Sequence, residues 1–152
     1  MSNPASSPLL VAEDDPNDMF LFTRLLNGAG ASHALHLAQD QSEAIRLLTP
    51  TLEKSRTAPR PAAVFASLDM PRDAGWQFVA WIRSQRTLDD LPVVLMARNP
   101  KRADLDRAAK VGAQCCFAKF PGKLAFARIL EEVARFNRNP SPTAFKLPET
   151  LL

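Results

Sequence analysis

The chain has 152 residues, 46% hydrophobic and 23% charged, with 19 lysines and arginines against 16 aspartates and glutamates and a net charge of +3. That length suits one domain able to bury a core without staples, and the composition is ordinary globular usage. No apolar run approaches the roughly 20 residues a membrane-spanning helix needs, residues 1–8 lack the basic and apolar regions of a signal peptide, and the positive charges are scattered without the aromatic or glycine-rich interleaving of a nucleic-acid surface, so neither membrane nor nucleic acid is expected as a partner.

Leu9-Leu10-Val11-Ala12 is a short apolar run that stops at Glu13-Asp14-Asp15, so a first buried strand should deliver three carboxylates to its carboxyl end. Residues 1–8 before it are expected to be flexible. Pro16-Asn17-Asp18 then turns the chain, with Asn17 or Asp18 as a helix cap. On that helix Met19, Phe22, Leu25, Leu26 and Ala29 make one buried stripe, and Gly28 and Gly30 end it. A second strand is expected at 34–38. Asp40 to Ser42 start a second helix whose buried face is Ala44, Ile45, Leu48 and Leu52. Residues 53–61, rich in charge and carrying Pro59 and Pro61, have no periodicity and read as an exposed, mobile insertion.

Ala62 to Gly75 reads A-A-V-F-A-S-L-D-M-P-R-D-A-G. A buried strand here empties into a loop, and in an open α/β sheet ligands and chemistry sit at the carboxyl end of such a strand. Function is therefore to be sought at Ser67, Leu68 and Asp69. A helix over 75–84 follows, with Phe78, Val79 and Ile82 inward. The run from Pro92 to Ala97 is continuously apolar, as in a strand covered on both faces. A helix over 102–111 ends at Gly112, the residue favoured for a C-cap. A last strand over 115–119 leads through Phe120-Pro121-Gly122 to a helix with Phe126, Ile129, Leu130, Val133 and Phe136 on one face. Strands alternating with helices in this way predict an α/β fold, a doubly wound five-stranded parallel sheet with helices on both faces.

The tail, 137–152, carries Pro140, Pro142 and Pro148 and cannot be one helix. Disorder is the expectation, although Phe145, Leu147, Leu151 and Leu152 are apolar enough to dock. Cys115 and Cys116 are adjacent and inside a strand, which implies neither a disulfide framework nor a zinc site and suits a reduced, cytoplasmic setting. His33 and His36 read as ordinary strand histidines, and Trp76 and Trp81 as packing residues.

Over residues 9–136 the chain resembles response-regulator receiver domains, which have the CheY-like, flavodoxin-like fold. Glu13 and Asp14 follow the first strand as the family's acidic pair does; Met70-Pro71 and Gly75 match its loop, Gly112-Ala113 its turn before the last strand, and Lys119 its lysine. The intervals of 30 residues from Ser67 to Ala97 and 22 from Ala97 to Lys119 match the family pattern without gaps. The resemblance implies a phosphoryl-accepting Asp, a metal held by Glu13 and Asp14, and Lys119 to neutralise the incoming charge. At the acceptor position this chain has Ser67. A serine hydroxyl is a weak nucleophile without an activating base.

The resemblance further implies a switch hydroxyl at Ala97 and a swinging ring at Cys116; neither residue can play the part. Asp69 either adds its charge to the pocket or sits in solvent, and solvent is expected. Glu13 and Asp14 are expected to pair with Lys119. The residue after Lys119 is Phe120 rather than Pro, so a trans peptide is expected there. With acceptor, hydroxyl and ring lost together, the expectation is a receiver of two-component, phosphorelay signalling that is not an enzyme, has no cofactor beyond weak magnesium at Glu13 and Asp14, and serves as a phosphorylation-independent interaction module. Its expected partners are a histidine kinase, another response regulator, or a second copy through the face drawn from 102–111, 115–118 and 123–136. Two alternatives stay open: a phosphorylation-competent regulator using Asp69 or another pocket acid, and a small flavodoxin-like enzyme or ligand-binding protein.

Overall fold

Apolar strand cores with polar punctuation between them give a sheet buried on both faces. A computed structural model describes residues 7–52, 60–140 and Phe145. The strands are β1 (Leu9–Ala12), β2 (Leu35–Ala38), β3 (Ala63–Ser67), β4 (Val93–Ala97) and β5 (Cys115–Ala118). All neighbouring pairs are parallel, in the order β2-β1-β3-β4-β5. The helices are α1 (Pro16–Gly28), α2 (Gln41–Leu48), α3 (Ala74–Arg83), α4 (Arg102–Val111) and α5 (Lys123–Arg138). The predicted doubly wound sheet is therefore the observed one. The strand order reverses between β1 and β3, and the crevice outside their carboxyl ends is where such folds place ligands.

Two apolar layers sandwich the sheet. On one side Phe22, Phe65, Phe117 and Phe126 interlock with ring centroids 5.1 to 6.4 Å apart, mostly edge to face, an arrangement that suits the ring quadrupole. On the other, Phe78, Val79 and Ile82 of α3 pack with Leu10, Val64 and Leu95. Trp76 is buried, with the Arg107 guanidinium 4.3 Å from its ring centre, and Trp81 stacks on Phe78. Both tryptophans are packing residues, as expected.

Several boundaries differ from the sequence expectation. The cap of α1 is Asp15, whose Oδ1 accepts from the Asn17 and Asp18 N–H groups; Pro16 takes the first helical position, which moves the cap one residue ahead of it. Of residues 1–8, Ser7 and Pro8 are described and ordered into the fold. The Pro8 carbonyl accepts from Ala62 N–H at 2.8 Å, and the Ser7 carbonyl lies 2.6 Å from His33 Nδ1. In the 53–61 insertion, 53–59 lie outside the described residues; Arg60 is half-buried beside Asp90 and Pro61 is buried. The two are not exposed because they already lead into β3. In the tail, Phe145 is docked: its ring meets Phe136 at 6.2 Å and its N–H donates to the Gln114 carbonyl at 3.0 Å. Leu147, Leu151 and Leu152 lie outside the described residues.

Arg83, at the end of α3, ties four pieces of chain together. Its guanidinium donates to the carbonyls of Gly112, Leu88 and Leu91 and to Gln114 Oε1 at 2.9 to 3.0 Å. Gln114 Oε1 also accepts from Val93 N–H at 2.7 Å, so the start of β4 depends on the same knot. Gly112 has φ +88° and presents only a hydrogen where a Cβ would meet Arg83 Nε at 3.2 Å. Arg83→Met should cost about 2 kcal/mol, because three carbonyls and an amide oxygen lose a charged donor while water can reach some of them; urea unfolding measures it, and a loss below about 0.5 kcal/mol, the range of ordinary surface substitutions, would refute the role.

Candidate functional site

The carboxyl ends of β1, β3, β4 and β5 converge on Lys119. Each contributing residue is fixed by the sheet itself: Glu13 N–H donates to the Ala38 carbonyl at 2.9 Å, Leu68 N–H to Met96 at 2.8 Å and Lys119 N–H to Ala97 at 2.8 Å. The side chains of Glu13 and Lys119, just past β1 and β5, and of Ser67, at the last position of β3, therefore meet at a common point. The Lys119 side chain is 2% exposed; its Nζ donates to Glu13 Oε1 at 2.6 Å, Ser67 Oγ at 2.8 Å and Asp18 Oδ2 at 3.1 Å, and pairs with Asp69 Oδ2 at 3.0 Å.

Ser67 is fully buried, and its Oγ also accepts from Asp69 N–H at 3.1 Å. Gly75 makes this corner possible. A Cβ there would stand 2.4 Å from the Ser67 carbonyl oxygen, so α3 presses directly on the end of β3. The chain reaches α3 through Arg72 and Asp73, both with positive φ, a backbone region costly for residues other than glycine.

Three predictions are corrected here. Asp69 does not merely sit in solvent: it is exposed at the mouth, but its Oδ2 is held between Lys119 Nζ and the Arg98 N–H, the latter at 3.0 Å. The loop after β3 folds back under the end of β4, which brings a residue beyond the strand end into the cluster. Asp14 does not pair with Lys119, although Glu13 does; consecutive residues of an extended chain point to opposite sides, and Asp14 faces outward and is exposed. The Lys119–Phe120 peptide is cis although Phe, not Pro, follows.

Two residues of the cluster were not singled out from sequence. Asp18, at the third helical position of α1, accepts from Lys119 and from Arg98 Nη2 at 2.9 Å. Arg98 Nη2 also pairs with Asp15 Oδ2 at 2.9 Å. The sequence marks Asp18 only as a candidate cap, and Arg98 only as a polar residue that follows an apolar run. The available signals were an acid in the first turn of a helix that starts at the sheet's carboxyl edge, and a cation immediately after a buried strand.

Burial pushes the Glu13 carboxyl above its ordinary 4.5, against the pull of Lys119, and nearby Asp18 adds to the rise. Asp18 is also pushed up by burial, but hydrogen bonds from Arg98 and Lys119 outweigh it and hold the carboxyl below 3.8. Lys119 is opposed by burial yet raised above 10.5 by Glu13 and Asp69, so it stays an ammonium. Burial drives the thiols of Cys115 and Cys116 to about 12, and both are free and buried. Cys116 and Ala97, the positions expected to carry ring and hydroxyl, are 3% and 5% exposed.

A divalent cation of the magnesium type takes about six oxygen ligands in strict geometry. Glu13 Oε2 is buried without a hydrogen-bond partner among the described residues, while its other oxygen is held by Lys119. Asp15, Asp18 and Asp69 are engaged by Arg98 and Lys119, which leaves Asp14 as the free carboxylate at the mouth. Among the described residues no group of three His, Cys, Asp or Glu side chains is placed to hold a metal ion. As arranged, the residues do not fit a resident divalent ion. No helix among the described residues is long and apolar enough to cross a membrane.

Comparison with known proteins agrees with this architecture. The chain is 27% identical over 118 residues to response regulator Rcp1 of Synechocystis, an alignment covering 78% of this chain and 79% of that protein. The manganese-bound form of Rcp1 superposes with a TM-score of 0.66 at 20% identity, over 93% of this chain and 99% of that one. The chemotaxis protein CheY4 of Vibrio cholerae gives 0.70 at 19% identity, over 84% and 98%. The family model of the response regulator receiver domain matches residues 9–131, and with the sheet order and the position of the Lys119 cluster this establishes that the chain belongs to the response regulator receiver domain family.

Proposed function

We propose that this chain is a receiver that does not receive: a phosphorylation-independent interaction module of two-component signalling. The observation that carries the reading is the state of Ser67. It stands at the acceptor position with its oxygen facing two N–H donors, Lys119 Nζ at 2.8 Å and Asp69 N at 3.1 Å. Those bonds occupy the lone pairs a nucleophile would use, and Lys119 is held protonated and cannot serve as its base. Ala97 and Cys116 support the same reading, since neither provides a hydroxyl or a ring that responds to a phosphoryl group.

The module is not an enzyme, works in the cytoplasm and holds divalent metal weakly or not at all. Its partners are a histidine kinase or another response regulator, or a second copy, met through the face of α4, β5 and α5. A small enzyme or ligand-binding protein is disfavoured because the cluster offers no activated nucleophile.

A second reading has one observation behind it. Asp69, exposed at the mouth, lies 3.0 Å from Lys119 Nζ, so its carboxylate is the one acid placed to accept a phosphoryl group in place of Ser67. Incubation with magnesium and acetyl phosphate, followed by intact-mass measurement, separates the two. We expect no phosphoryl adduct on the wild-type chain and an adduct on Ser67→Asp. An adduct on the wild-type chain that disappears in Asp69→Asn would overturn the first reading in favour of the second.

A further inference from the structure

Five carboxylates, Glu13, Asp14, Asp15, Asp18 and Asp69, surround a cavity of about 400 Å3 at the mouth of the site, and Arg98 and Asn99 complete its wall. Lys119 sits beneath them and reaches Glu13, Asp18 and Asp69. Arg98 covers the outer part. Its Nη2 bridges Asp15 and Asp18 at 2.9 Å each, and its backbone N–H holds Asp69 at 3.0 Å. A single residue at the end of β4 thus contacts three of the five acids, two from α1 and its cap and one from the loop after β3.

We infer that Arg98 is the resident cation of this mouth: its guanidinium supplies the positive charge that a divalent ion would bring, and so sets the site against divalent cations. The inference deepens the proposed function and rests on it, but on a residue the acceptor question does not involve. A divalent ion approaching Asp14 meets the positive charge of Arg98, whose side chain is 56% exposed, so the repulsion is softened by solvent and the stronger obstacle is the loss of carboxylate ligands. It also finds Asp15 and Asp18 already bonded, so each ligand it gains breaks an existing ion pair. The planar guanidinium loses little freedom in bridging two carboxylates, which a lysine does less well. Arg98 cannot simply swing away with its loop, because its own N–H is tied to Asp69.

Manganese alone is the probe, added to the full chain and followed by the loss of the free-ion signal in electron paramagnetic resonance. We expect no saturable binding by the wild-type chain up to millimolar manganese, and saturable binding at least tenfold tighter in both Arg98→Ala and Arg98→Gln, the second of which keeps most of the side-chain stem. Arg98→Lys should fall between wild type and these. Adding Asp14→Asn to Arg98→Ala should remove the gain. Wild type binding manganese as tightly as Arg98→Ala would overturn the inference, as would absence of any gain in both neutral variants with wild-type circular dichroism, or a gain that survives Asp14→Asn. A phosphoryl adduct on the wild-type chain would sink the proposed function without changing these manganese results, so the two failures are distinguishable.

Discussion

Lys119→Met is expected to lower the unfolding free energy by about 3 to 5 kcal/mol, the usual cost of removing one partner of a buried ion cluster. The ammonium, 2% exposed, is the common donor to Glu13, Asp18 and Ser67 and the partner of Asp69. Without it those oxygens face one another, and of the four only Asp69 is open to solvent. Two responses hold the loss toward the lower figure: Glu13, already raised by burial, takes a proton, and Arg98 retains Asp18.

The pH dependence gives a second signature. Because Lys119 is raised above 10.5 in the folded chain, its contribution is complete below 10.5 and is lost as pH rises through the folded value. The wild type should therefore lose stability on that alkaline limb more steeply than Lys119→Met. Urea unfolding at stepped pH measures both quantities. A loss below about 1 kcal/mol, or parallel alkaline limbs, would mean that the cluster is not held together by this charge.

Gly75→Ala is expected to cost about 3 kcal/mol, near the upper end for overpacking, because the intruding methyl meets backbone rather than a side chain that can rotate. The added Cβ would lie 2.4 Å from the Ser67 carbonyl oxygen, 3.2 Å from its carbon and 3.3 Å from Leu68 Cα. Relief requires α3 to lift off the end of β3, which moves Ser67 and Asp69 away from Lys119. Thermal unfolding should show a drop of roughly 6 to 12 °C for a domain of this size, with altered amide resonances at Ser67, Asp69 and Lys119. Wild-type stability in this variant would contradict the close approach. Alanine at Gly28, which has nothing within 4 Å of its built Cβ, is the control and should leave stability near wild type or raise it.

The fold was legible because strand and helix periods are local. Continuous apolar runs at Leu9–Ala12, residues 63–66 and Val93–Ala97 are what a two-sided burial demands, and helix stops such as Gly112 are written in one residue. The site was half legible by the same logic: Glu13, Ser67 and Lys119 stand at strand ends, and strand ends converge whatever the loops do.

Local patterns along the chain thus carry the sheet, the two helical layers, the family and the hydroxyl at the end of β3. They do not determine what surrounds that hydroxyl. Asp18 comes from the first turn of a helix, Asp69 from a loop that folds back and Arg98 from beyond β4; their meeting depends on the crossing of segments 29 to 101 residues apart. Tertiary packing alone decided which carboxylate each cation takes, because pairing of charges is set by distance in space, over a few ångströms, and no pattern along the chain encodes that distance.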